Sequence, residues 1–312
     1  MSTSEKCSLA RVSVVVVTRD RASVLTRCLA SLESQTHPPD EVIIVAGNED
    51  SCPQSLLDRH VALSIDLASC AEPNICLARN IGLDRATGGL ILFIDDDAIA
   101  DAGWVQAFVS AFHNDPGACA AGGTVLDART EPRSPEFSRG LIHSSGRQIE
   151  VRSPDTPKPR GYRQSVKGCN FALNMTKMPQ GLRFDPFFRF AFDEADLVMT
   201  LHGLGCDIIE VPGAVVDHLH APGLYRASGP CDRDWRTEFA SHTMFMLKHT
   251  RGIHRVAGWG VVLGRLMVHT ARLAWAAATG AFDHQQALRG VVDAFSGVRF
   301  AALSHDTDRS SR

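Results

Sequence analysis

Apolar residues along this chain follow two patterns that take turns. The first is the unbroken run: RVSVVVVT at 11–18, EVIIVA at 41–46 and LILFI at 90–94. Runs of that length, rich in β-branched residues and bounded by charge, predict strands buried on both faces of a parallel sheet. The second is helical spacing. Val24, Leu25, Cys28, Leu29 and Leu32 recur every three or four positions between Ala22 and Gln35, and HPPD then ends the helix. VALSIDL at 61–67 reads as a further strand, and Pro73 opens a helix reaching Ala86 before TGG at 87–89 breaks it. Strands alternating with helices predict right-handed crossovers and an α/β, doubly wound sheet, with ligands gathered at the carboxyl ends of its strands.

After a helix over 102–114 and the apolar segment CAAGGTVL at 119–126, the character changes. Residues 127–165 are rich in Arg, Ser, Pro and Gly without sustained periodicity, which predicts a long loop excursion of the kind that forms lids or binding loops. The fold resumes with KGCNFALN at 167–174, a helix from Asp193 to Leu204, and DIIEVPGAVVDHLH at 207–220. From Asp232 on, the composition is helical. Within 251–279, Arg251, Arg255, Arg265, His269, Arg272 and Thr279 form a narrow stripe on a wide apolar surface carrying Trp259, Leu263, Met267 and Trp275. Such a helix either lies in a membrane interface or packs on the main domain with its charged edge in water. The organisation this predicts is a tail over 1–10, a ligand-binding α/β domain over 11–222, a helical region over 223–302 and a disordered tail over 303–312.

Charge and cysteine usage narrow the class. With 32 Lys+Arg against 35 Asp+Glu the formal charge is −3, so no overall basic field argues for nucleic acid as a partner. Nine cysteines without a C-x-x-C pair, several inside apolar segments, suit reduced thiols rather than disulfides or a thiolate zinc site. Glu5, Lys6 and Arg11 frame the first apolar run, unlike a signal peptide, and no uncharged run is long enough to span a bilayer. Together these predict a cytoplasmic protein, at most seated on the inner face of a membrane.

The candidate chemistry starts at LILFIDDDAIA, residues 90–100. Three carboxylates ending a buried strand repel one another and resist desolvation, so an oxygen-loving cation, Mn²⁺ or Mg²⁺, is the economical explanation; the competing one is an exposed acidic turn. Alternation lets Asp95 and Asp97 point one way and Asp96 the other. Asp193, Glu194 and Asp196 open a helix, where acids cap free N–H groups and suit the dipole, or one of them serves as a general base. Asp217, His218 and His220 form either a polar strand end or a metal-ligating set.

Taken in order, RVSVVVVTRDR, LTRCLASLESQ, NICLARNIGLDRATGGLILFIDDDA, KGCNFALN, FDEADL and AVVDHLH resemble the family 2 glycosyltransferases of the GT-A fold, over roughly residues 10–220. The resemblance implies an inverting transfer of sugar from a nucleotide-diphosphate donor to a hydroxyl of a saccharide, lipid-linked or other acceptor, in cell-surface polysaccharide or glycolipid synthesis. It assigns Thr18, Arg19, Arg79, Asp95, Asp96, Gly168 and Asn170 to the donor, Asp97, Asp95 and His218 to the metal, and Glu194 with its neighbour Asp193 to base catalysis. Ala46 stands where such enzymes carry a base-contacting aspartate, so Asn48, Glu49 or Asp50 would take that place, with Glu49 the choice. Two other classes compete. A degenerate GT-A fold serving as a scaffold subunit is one; a D-x-D phosphotransferase is the other, although its aspartates end a first strand and these end a later one.

Overall fold

The computed structural model describes residues 9, 11–130, 134–137, 139–151, 156–223 and 234–310. Two compact units emerge: Met1–Leu141, Ile149–Pro186 and Asp193–Ala221 form the first, and Ile142–Gln148, Phe187–Phe192 and Pro222–Arg312 the second. Most of the expected tail over 1–10 lies outside the described residues.

In the first unit the β-branched runs become the middle of the sheet. β1 (Val12–Thr18) pairs in parallel with β2 (Glu41–Ala46) on one side and β4 (Leu90–Asp95) on the other, and β2 carries β3 (Ile65–Ser69). The intervening helices are α1 (Ala22–Glu33), α2 (Gln54–Leu57) and α3 (Ile75–Arg85). Val14, Ile44 and Leu92 are fully buried on these strands, as continuous apolar runs require. Gly82 of α3 lets the helix settle on β1, since a Cβ there would lie 2.4 Å from Val15 Cγ1.

Beyond β4 the sheet changes direction. β11 (Asn170–Asn174) runs antiparallel to both β4 and β6 (Ala120–Asp127), and β12 (Ile208–His218) returns parallel to β6. With β5 (Ala98–Ala100) at the far edge, the order is β3-β2-β1-β4-β11-β6-β12-β5. α4 (Trp104–Asn114) buries Trp104, Phe108 and Phe112 in the core, and α5 (Asp193–Gly203) precedes β12.

Two expectations need correction here. β3 begins at Ile65 rather than Val61, because Val61 is exposed in a turn whose Leu63 N–H bonds to the His60 carbonyl. The excursion over 127–165 is not all loop: β7 (Ser134–Phe137) pairs with β6, and β8 (Arg139–His143), β9 (Gln148–Val151) and β10 (Tyr162–Ser165) form a small sheet in the order β10-β8-β9. Strands of four or five residues are too short to display a period.

The second unit is helical. Asp234 caps α6 (Trp235–His249) by accepting from the Thr237 N–H at 2.9 Å. α7 (Gly252–Ala278) buries Gly258, Val262, Leu266, His269 and Leu273, one face of the helix. α8 (His284–Ser310) approaches α6 closely at Gly297, where a Cβ would meet the Arg236 carbonyl at 2.2 Å. Residues 303–310, expected to be a disordered tail, are the last turns of α8. Ile253, Val256, Leu263, Met267 and Trp275 on α7, and Leu288, Val292, Phe295 and Leu303 on α8, are each more than half exposed. No helix among the described residues is long and apolar enough to cross a membrane.

Candidate active site

The parallel strands end at one edge of the first unit, and β4 delivers Asp95 there, in register with Val17 of β1. Asp96 and Asp97 turn the chain toward β5, both fully buried, while Asp95 keeps 19% of its side chain exposed. Asp96 faces inward. Arg21 grips its carboxylate through two nitrogens, one of them at 3.1 Å, and the Thr18 hydroxyl donates to it at 2.7 Å. Burial pushes the Asp96 carboxyl up to about 7, against the opposing pull of Arg21 and Thr18.

Arg21 also lies 3.5 Å from Asp97 Oδ2 and donates to the Ala221 carbonyl at 3.3 Å. The Ala221 N–H in turn donates to Asp97 Oδ2 at 2.9 Å, and the Leu219 N–H donates to the Asp97 carbonyl at 2.8 Å. These bonds tie the segment after β12 to the aspartate turn and set His218 Nε2 3.5 Å from Asp97 Oδ1. A carboxylate oxygen of Asp95, the Cys169 sulfur and a ring nitrogen of His218 all fall within 4.8 Å of one another. A divalent cation fits this donor set, because a carboxylate and an imidazole from separate segments lie close together.

A second cluster adjoins it. Arg79 of α3, 3% exposed, pairs with Asp193, sits 3.4 Å from Asp95 and donates to the Gly168 carbonyl at 2.8 Å. The rings of Phe171 and Phe184, 5.4 and 5.6 Å from the guanidinium, complete its cage. A Cβ on Gly168 would lie 3.0 Å from Arg79, which would have to give way by a few tenths of an ångström, and 3.5 Å from the carboxyl carbon of Glu194, an ordinary contact. Ala191 and Phe192 take left-handed backbone just before Asp193, a conformation such residues adopt under constraint. Burial, then the charge and hydrogen bond of Asp193, push Glu194 up to about 8, with Arg79 opposing.

The remaining site residues named from sequence are less uniform. Glu49 is exposed at the carboxyl edge of β2, in a turn that Asn48 caps by accepting from the Ser51 N–H at 2.9 Å. Arg19 reaches the carbonyls of Cys70 and Ala71, bracing the end of β3. Thr18 and Asp96, assigned to the donor by resemblance, are buried against each other and Arg21. Asn170 is fully buried: it accepts from the Trp104 indole at 2.8 Å and donates to the Thr124 and Ala214 carbonyls. β11 runs between two other strands at that point, which turns the asparagine into the core.

Sequence reasoning missed Arg21 and did not bring Cys169 to Asp95 and His218. The signal for Arg21 was present: three carboxylates at a buried strand end require a nearby cation, and TRDR supplies two arginines just past β1. Cys169 offered no such signal, because its neighbours come from β4 and β12.

A mostly parallel sheet flanked by helices and followed by a helical region is the architecture of the GT-A glycosyltransferases. The sequence profile of glycosyl transferase family 2 matches residues 13–172, and the chain belongs to that family. It is 35% identical over 132 residues to a glucosyl-dolichyl phosphate glucuronosyltransferase of Haloferax volcanii, a match covering 41% of this chain and 42% of the relative. The fold is shared with GalNAc-T7 solved with UDP, GalNAc and Mn²⁺, at TM-score 0.58 and 19% identity, covering 76% of this chain and 47% of the other. It is shared too with a mannosyltransferase of Pyrobaculum calidifontis in complex with GDP-Man and Mn²⁺, at TM-score 0.55 and 15% identity, covering 94% and 87%.

Proposed function

We propose that this glycosyltransferase moves a sugar, with inversion, from a nucleoside diphosphate sugar to a hydroxyl of a lipid-linked saccharide at the cytoplasmic face of a membrane. The observation that carries the reading is the adjacency of two groups, Asp95 with His218 (itself 3.5 Å from Asp97) and Arg79–Asp193–Glu194, joined by the 3.4 Å approach of Arg79 to Asp95. Asp97, Asp95 and His218 would hold Mn²⁺ or Mg²⁺, which when bound offsets the negative charge growing on the departing diphosphate. Arg21 compensates the buried Asp96 and fixes the turn carrying Asp97. Arg79 holds Asp193 and the Gly168 carbonyl, and so positions Glu194.

Glu194 is the base. Its raised affinity for protons suits removal of one from an acceptor hydroxyl at mildly alkaline pH, where the carboxyl is ionised. Direct attack on the anomeric carbon then inverts it, with no covalent sugar intermediate. Glu49, exposed beside β1 and β2, is the residue proposed to meet the nucleoside in place of the missing aspartate at Ala46.

Thermal melting with UDP-, GDP-, dTDP- and CMP-sugars, each with and without Mn²⁺, tests the donor. One nucleotide should raise the midpoint, and only with metal present, by mass action on the folded state. Should none do so in a folded sample, the degenerate scaffold becomes the better account.

The lipid-linked acceptor draws support from the dolichyl-phosphate substrate in the Haloferax enzyme's name and from the second unit. Residues 251–279 contain four arginines and no acidic residue, and the exposed apolar positions recur along both α7 and α8. That chemistry matches an anionic bilayer surface. The protein should co-sediment with anionic vesicles more than with neutral ones, and Arg251→Gln with Arg272→Gln should weaken binding by about 1 kcal/mol each. Equal partition to both vesicle types would remove the membrane from the proposal.

A further inference from the structure

Sugar transfer needs no thiol, yet Cys169 sits beside the metal cluster. Its sulfur lies within 4.8 Å of donor atoms on Asp95 and His218, and both Cys169 and His218 are 2% exposed. The three come from separate segments: the end of β4, the end of β12, and the residue just before β11. A cysteine in that position has a plainer use, as a small apolar filler, and Cys169 does contribute to the core. Filling alone does not require its sulfur to meet a carboxylate oxygen and an imidazole nitrogen, the donors a cation prefers.

We propose that Cys169 is a ligand of the divalent cation, and that it turns an oxygen-rich site toward softer ions such as Co²⁺, Zn²⁺ and Cd²⁺ and away from Mg²⁺. The inference rests on the metal reading above, since the ion is the same. On binding, the S–H bond of Cys169 breaks, its proton passes to water and the thiolate joins the metal. Thiolate prefers thiophilic ions, while carboxylate and water suit Mg²⁺. A site of mixed donors therefore ranks ions differently from a site of oxygen and nitrogen alone.

The test is a Co²⁺ titration of the full-length protein without nucleotide, followed by absorbance, in wild type, Cys169→Ser and Cys169→Ala. Wild type should show a thiolate-to-Co²⁺ charge-transfer band in the near ultraviolet that saturates at one ion per chain. Cys169→Ser should lose that band while the weak visible bands of bound Co²⁺ persist. Mg²⁺ should displace Co²⁺ from the serine variant at a concentration lower by about tenfold or more. If the serine variant does not fold, as judged by melting, the alanine variant gives the same readout.

A band that survives in the folded variants belongs to another thiol and overturns the proposal. So do visible bands without charge transfer in wild type, which leave the metal reading standing because the metal-dependent shift with a nucleotide-sugar remains. Absence of Co²⁺ binding together with absence of that shift overturns both.

Discussion

Replacing Asp97 by Asn should eliminate the metal-dependent rise in melting midpoint expected of the wild-type protein with a nucleotide-sugar, and lower kcat/KM by about 10³-fold. The magnitude follows from the charge a bound cation neutralises in the transition state, several kcal/mol by general experience, at about 1.4 kcal/mol per tenfold in rate. The asparagine keeps the size of the side chain, and Arg21 retains its grip on Asp96, so the turn after β4 should hold its shape. Melting of the variant without ligand checks this. Donor binding that stays metal-dependent in a folded Asp97→Asn protein would take Asp97 out of the metal site.

Glu194→Gln should leave donor binding and any metal dependence intact while lowering kcat by about 10²–10⁴-fold, the usual worth of a positioned base. The pH dependence separates this role from a structural one. Burial and Asp193 push the Glu194 carboxyl up to about 8, so the base is largely protonated at neutral pH. For the wild type, kcat/KM should rise with pH through a limb centred near 8, and the residual activity of the glutamine variant should lack that limb.

Stability moves the other way. Because the carboxyl binds its proton more tightly folded than unfolded, the folded state carries more protons between the ordinary glutamate range and about 8, and stability falls as pH rises through that window. Glu194→Gln removes the loss, so the variant should melt no lower than wild type at alkaline pH. An inactive variant that melts far below wild type would assign Glu194 to the fold, and an unchanged limb would place the base elsewhere.

What the sequence by itself determined is what neighbours within a few residues decide. Apolar runs rich in β-branched residues placed β1, β2 and β4 in the middle of a sheet, because a strand buried on both faces tolerates few polar positions. Leu25, Leu29 and Leu32 marked the buried face of α1 through the 3.6-residue period alone. Asp95 to Asp97 announced a site, since charge at the mouth of an apolar strand needs a reason.

The tertiary structure decided what depends on partners far along the chain. Arg21 and Asp96 meet across 75 positions of sequence, and Asn170 turns into the core only because β11 is inserted between β4 and β6. Short strands over 134–165 have no periodicity to reveal them, although their partners are neighbours in the chain. Cys169 meets Asp95 and His218 across long stretches of sequence, as Arg21 meets Asp96. Periodicity reports which face of an element is buried; which residues from other elements share that burial is set by topology, and that holds for every group around the aspartate turn.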